Sequence, residues 1–128
     1  MKITVNEIIE RLHGLWPNLN QIWCFDQEYD LPTKDEAVGY LKNNPFNISV
    51  IRAENPDCDD FALQYHAQIK RVCNWSCGEV FVNKYGGFRA LHNLNICICQ
   101  ECILMIDPKK NINWEAASPE DNALWVRL

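Results

Sequence analysis

The order of hydrophobic patterns predicts an α+β domain, with helices in the first half packed on a mainly antiparallel sheet in the second. Up to Val72, apolar residues recur at three- and four-residue intervals, the spacing of a buried helix face. From Glu79 onward, short apolar runs alternate with turn residues, as strands of a sheet do. The length of 128 residues suits one domain over residues 1–128, able to bury a core without help from metal.

The first helix follows from Val5, Ile8, Ile9 and Leu12, with Asn6 as a candidate cap; Gly14 and Pro17 break the pattern. Residues 22–25 read as a short strand or an aromatic-packed loop. A second helix opens at Thr33, whose Glu36 three positions on makes a capping box, and its apolar face is Ala37, Val38 and Leu41. Asn43-Asn44-Pro45 ends it, and residues 46–57 are an extended approach. The third helix starts after Asp57, a natural N-cap, with Asp59 and Asp60 at the positive end of its dipole. Cys58, Phe61, Ala62, Tyr65, Ile69 and Val72 form one stripe, which makes this the core helix. Strands are expected at 79–82, 91–99, 102–107 and 124–128, with turns at Tyr85-Gly86-Gly87 and Gln100-Glu101 and a loop at Ser118–Asp121.

Composition narrows the function classes. Hydrophobic residues make up 48% and charged ones 23%, which fits a globular, soluble chain. No apolar run approaches the roughly 20 residues of a membrane helix, and the start MKITVNEIIERLHG does not read as a signal peptide. A net charge of −5, with basic residues clustered only as Lys70-Arg71 and Lys109-Lys110, argues against nucleic acid as a partner. Seven cysteines without an export signal favour a reducing, cytoplasmic setting with at least one free thiol.

Cys58 is the first candidate for chemistry. A thiol at a helix N-terminus sits against partial positive charge, which favours the thiolate. The plainer reading is a core cysteine, because free cysteine is among the most buried residue types. The hairpin around Gln100-Glu101 adds a second group. If its turn is centred between those two residues, paired positions sum to 201, Leu94 faces Asp107, and His92 lies diagonally from Asp107 on the same face. Strand alternation thus joins a base to a carboxylate that can orient it, while Cys97, Cys99 and Cys102 fall on the other face. Nucleophile, base and orienting group in the order Cys58, His92, Asp107 is the order of papain-type enzymes.

At these residues the chain resembles a known family. Asp57-Cys58-Asp59-Asp60-Phe61-Ala62 resembles the D-C-D-D-F-A nucleophile motif of papain-like, transglutaminase-like proteins akin to the protease domain of a mushroom galactose-binding agglutinin, with relatives in bacteria and phages. His92-Asn93-Leu94-Asn95 resembles the family's H-A-x-N strand, Ile106-Asp107-Pro108-Lys109 its I-E-P-Q segment, and Leu31–Ala37 its leading helix. The likeness runs over residues 31–115. It implies a papain-like fold and a thiol hydrolase or acyl transferase that cleaves a peptide, isopeptide or amide bond of a protein or peptide substrate. The chain departs from the pattern at Asp107, where the family usually has Glu, and at Asn93, where it has a small residue. No clear oxyanion glutamine precedes Cys58. Two carboxylates beside a thiol raise its pKa, and a bound cation removes that conflict. The resemblance implies Ca²⁺ at Asp59 and Asp60; the plainer reading is first-turn charges in solvent.

Other residues carry less. Cys99-x-x-Cys102 with Cys73-x-x-x-Cys77 resembles a zinc site at Cys73, Cys77, Cys99 and Cys102, although buried or hairpin thiols are the default, and Cys99 and Cys102 face each other as a possible disulfide. His13 and His66 read as surface and partly exposed. The tryptophans at 16, 23, 75, 114 and 125 are dispersed and suggest no stacking platform. Three functional readings follow: an active thiol enzyme needing no cofactor, a papain-like binding or accessory module without activity, and a zinc-stabilised interaction domain.

Overall fold

The computed structural model describes residues 1–43 and 57–128. In chain order the elements are β1 (Lys2–Thr4), α1 (Val5–Leu15), β2 (Ile22–Trp23), β3 (Glu28–Asp30), α2 (Lys34–Asn43), α3 (Cys58–Val72), β4 (Cys77–Tyr85), β5 (Phe88–Ile98), β6 (Ile103–Asp107), β7 (Ile112–Glu115) and β8 (Asn122–Arg127). The α+β class expected from the patterns is the class observed. A six-stranded sheet in the order β2-β8-β4-β5-β6-β7 is antiparallel except where β2 lies parallel to β8, and β1 pairs with β3 in a small second sheet. The short strand expected at 22–25 is present as β2, and the predicted run of helices followed by strands is interrupted further by β1 and β3. Strands of two or three residues are too short for a period of two to register.

Strand alternation divides the domain into layers. Val80 and Val82 of β4, with Leu94, Ile96 and Ile98 of β5, point to one side and pack with Ile8 and Leu12 of α1. Cys77, Cys97, Leu104 and Ile106 point to the other, against Ala37 and Leu41 of α2 and Tyr65 and Ile69 of α3. No helix among the described residues is long and apolar enough to cross a membrane.

Local signals explain most helix boundaries. Thr4, not Asn6, caps α1: its Oγ1 accepts from Glu7 N (3.3 Å), because β1 runs to Thr4 and the helix begins directly after it. The Thr33 capping box is present, with Glu36 N donating to Thr33 Oγ1 and Thr33 N to Glu36 Oε1, both at 3.0 Å. The end expected for α2 at Asn44-Pro45 and the extended approach over 46–56 lie outside the described residues. On α3, Phe61, Ala62, Tyr65 and Ile69 are buried and Cys58 half-buried, but Val72 is 66% exposed. Cys73, four residues after Ile69, continues the stripe against the core instead.

Cys77 and Cys97, directly opposed on β4 and β5, are joined as a disulfide, and Cys24, Cys58, Cys73, Cys99 and Cys102 are free. The four-thiol set considered for zinc is not assembled, since Cys77 is bonded to Cys97. Cys99 and Cys102 are not bridged; Cys99 N donates to Cys102 O (2.8 Å) across the turn.

The sheet has no room at Gly78. A Cβ there would run into the backbone oxygen of Arg127 and lie 2.8 Å from Leu128 Cα. Backbone cannot give way as a flexible side chain does. Gly78→Ala should therefore destabilise the domain by more than about 2 kcal/mol. Urea unfolding checks this, and a variant as stable as the wild type contradicts the packing described.

Candidate active site

The register of the β5–β6 hairpin is the predicted one: Asn95 pairs with Ile106, Ile96 with Met105, Cys97 with Leu104 and Ile98 with Ile103. Every pair sums to 201. His92 and Asp107 therefore share the α1-side face, and His92 Nε2 lies 3.5 Å from Asp107 Oδ2. The other oxygen, Oδ1, accepts from Lys109 N (3.2 Å) and Lys110 N (3.3 Å) in the turn after β6. Three contacts hold a carboxylate that is only 3% exposed. The Tyr85 ring lies against the imidazole, centroids 4.9 Å apart, and limits its rotation. With Nε2 turned to the carboxylate, Nδ1 is the nitrogen left for proton exchange.

Cys58 reaches this end of the sheet from the other face. Asn95 Nδ2 donates to Ala62 O (2.9 Å), so α3 lies over the odd-numbered residues of β5. One turn before Ala62, Cys58 begins the helix, and Asp57 N donates to Asp60 Oδ2 (3.1 Å) to close its first turn. The Lys109 ammonium lies 5.7 Å from the centre of the Phe61 ring, which ties this turn of α3 to the turn that holds Asp107. Cys58 Sγ lies 3.9 Å from Asp59 Oδ1, and no hydrogen bond joins it to His92. The structure thus brings His92 and Asp107 together and sets Cys58 at the same end of the sheet across β5. Beyond Asn95 toward its N-terminus, β5 is paired to β4 alone, so the β6 side of the strand is unpaired at His92.

Asp59 and Asp60, the pair considered for calcium, have the partners just given, and no group of three metal-ligating side chains assembles among the described residues. The free thiols other than Cys58 are set against reactivity. Burial raises the pKa of Cys24, Cys73 and Cys102, and pushes that of Cys99 up to about 12.

Two clusters escaped sequence reasoning. His66 is partly exposed, as expected, but its Nδ1 is 3.0 Å from Oε2 of Glu79, which is buried, a partner the sequence did not indicate. Arg127 donates to the same oxygen through Nε (3.0 Å) and Nη2 (2.6 Å). Burial alone pushes the Glu79 carboxyl up, but the bonds from His66 and Arg127 outweigh it and hold it below its usual value. An acid inside the apolar run Glu79–Val82 was the signal. The second cluster is aromatic. Phe81 stacks on Trp125 (5.7 Å, 21°) and Trp125 meets Trp23 edge-on (6.0 Å), so rings remote in sequence do gather across β4, β8 and β2.

No family model matches the chain, and no curated protein matches it. Among solved structures, the chain is similar to a protein determined as a PSL1a–E64 complex, at 16% identity and a TM-score of 0.59, over 98% of this chain and 50% of that one. The likeness is one of fold. The chain spans half the length of that structure.

Two outcomes follow. Asp107→Ala removes the acceptor for His92 and for two backbone N–H groups, so it should cost about 1–3 kcal/mol in urea unfolding; an unchanged midpoint contradicts the bonding described. Glu79→Gln should destabilise by a similar amount, about 1–3 kcal/mol, at pH 7. Because the folded pKa of Glu79 is depressed, its contribution is present above the unfolded value of about 4.3 and is lost as pH falls through the folded value. The stability gap between wild type and variant should therefore narrow below about pH 4, measured by thermal melts across pH. A gap independent of pH counts against the ionised cluster.

Proposed function

We propose that the chain is a papain-like thiol hydrolase or acyl transferase acting on a peptide, isopeptide or amide bond, with Cys58 as nucleophile, His92 as base and Asp107 as the orienting carboxylate. The His92–Asp107 pair at the end of the sheet where α3 begins at Cys58 carries this reading. The D-C-D-D-F-A resemblance supports it, as does the similar fold of a protein that forms a complex with E64.

The chemistry divides between the two faces of β5. His92 Nδ1 takes the proton of the Cys58 thiol while the sulfur adds to the substrate carbonyl carbon. Backbone N–H groups of the first turn of α3 receive the negative charge on the carbonyl oxygen. The imidazolium, steadied by Asp107, returns its proton to the departing amine as the C–N bond breaks, leaving a thioester on Cys58. Water or an acceptor amine then adds to the thioester carbonyl, His92 takes its proton, and the C–S bond breaks to free the product. The thiol and the imidazole meet around the unpaired β6 side of β5, so the active arrangement requires movement from the positions described.

A second reading, a papain-like binding module, draws on the lack of a Cys58–His92 hydrogen bond. Iodoacetamide labelling at pH 6, mapped by mass spectrometry, separates the two. Cys58 should react roughly tenfold or more faster than the four thiols raised by burial, and E64 should modify the same residue. Uniformly slow labelling removes the enzyme reading in favour of the binding module.

A further inference from the structure

On the His92 side of the sheet a groove of about 350 Å³ opens between the tip of the β4–β5 hairpin and the start of β7. Tyr85, Phe88, Ile112 and Trp114 line it, and Asp107, the partner of His92, lies in the same lining. Phe88 is 65% and Ile112 47% exposed. Single exposed apolar residues are ordinary, but a concave group of four beside a base is the composition of a ligand site. Trp114 is held in place by its indole N–H, which donates to Asp121 Oδ1 (3.2 Å), and that same oxygen accepts from Gly86 N (2.8 Å) in the hairpin turn. The two sides of the groove are thus braced through one buried carboxylate. Lys110 stands at its rim and makes no ion pair among the described residues.

We infer that this groove holds the leaving-group side of the substrate: an apolar, aromatic-sized side chain whose residue ends in a free carboxylate. The inference rests on the hydrolase reading for its place in the reaction, since His92 protonates the leaving amine and the groove lies on the His92 side. The aromatic and aliphatic walls select an apolar side chain. The free Lys110 ammonium selects the carboxylate, in a chain whose net charge of −5 otherwise repels acids. Asp107 is already committed to His92 and two backbone N–H groups, and it faces the end where the amine departs.

Phenylalanine, as the simplest such product, is the probe, compared with phenylalaninamide and glycine in ¹⁵N-detected titrations of the full chain. Phenylalanine at millimolar concentration should shift the Trp114 indole resonance saturably, and glycine should not. The amide should bind about two- to fivefold more weakly, the worth of one exposed charge pair. Ile112→Ser should weaken phenylalanine by about fivefold through lost apolar contact, and Lys110→Glu should erase the preference for the acid. Cys58→Ser should bind like the wild type. If Cys58 proves unreactive while these titrations behave as stated, the groove stands as a binding site and only the hydrolase reading falls. No Trp114 shift, a shift matched by glycine, or indifference to both Ile112→Ser and Lys110→Glu overturns the inference.

Discussion

Strand β5 serves two cores at once, and most of the molecule depends on that. Its even-numbered residues Leu94, Ile96 and Ile98 fill the α1-side core, while Asn95 and Cys97 face the layer of α2 and α3. A slip of one residue would exchange the two sets, placing the Asn95 amide among aliphatic side chains, parting Cys97 from Cys77 and carrying His92 away from Asp107. Register is therefore fixed by the burial of both faces, and the histidine–carboxylate pair inherits its alignment from that burial. It needs no dedicated scaffold. Asp107 adds the local part, since its second oxygen closes the turn that keeps β6 from running on past the histidine.

A second set of polar contacts inside the domain fastens α3 to the sheet. Asn95 reaches the helix backbone at Ala62, and Glu79, bonded by His66 from the helix and Arg127 from β8, joins three elements through one oxygen. A buried carboxylate is costly unless its bonds are complete, so these contacts specify where the helix lies more than they add to stability. The consequence for chemistry is positional. A helix held at its middle presents its N-terminus, and Cys58 with it, beside the end of β5.

The parts of this design that were legible in the sequence are those with a period. The stripe from Cys58 to Ile69, the Thr33 capping box, and the sum rule of the β5–β6 hairpin each repeat over enough residues to be counted, and they locate α3, α2 and the His92–Asp107 pair. What was not legible depends on contacts between distant segments. Strands β1 and β3 contribute three residues each and exist because they pair with one another. The bond of Glu79 to His66 and Arg127 joins positions 13 and 48 residues apart. Thr4 displaced Asn6 as the cap of α1 because a strand ends there, and Val72 lost its place in the stripe to Cys73, which the helical angle admits equally well. The gathering of Phe81, Trp125 and Trp23 required the order of strands β4, β8 and β2, which no local pattern encodes.

The central claim is that His92 and Asp107 act as one unit on Cys58. A double-mutant cycle on the rate of Cys58 alkylation by iodoacetamide at pH 6 tests it most directly. His92→Ala should slow the reaction by roughly tenfold or more. Asp107→Ala should slow it too, and the double variant should be hardly slower than His92→Ala alone, because a carboxylate that works through an imidazole has nothing to act on once the imidazole is gone. If the two effects multiply, or if both single variants alkylate at the wild-type rate, the pair does not activate Cys58, and the fold is better read as one that binds without catalysing.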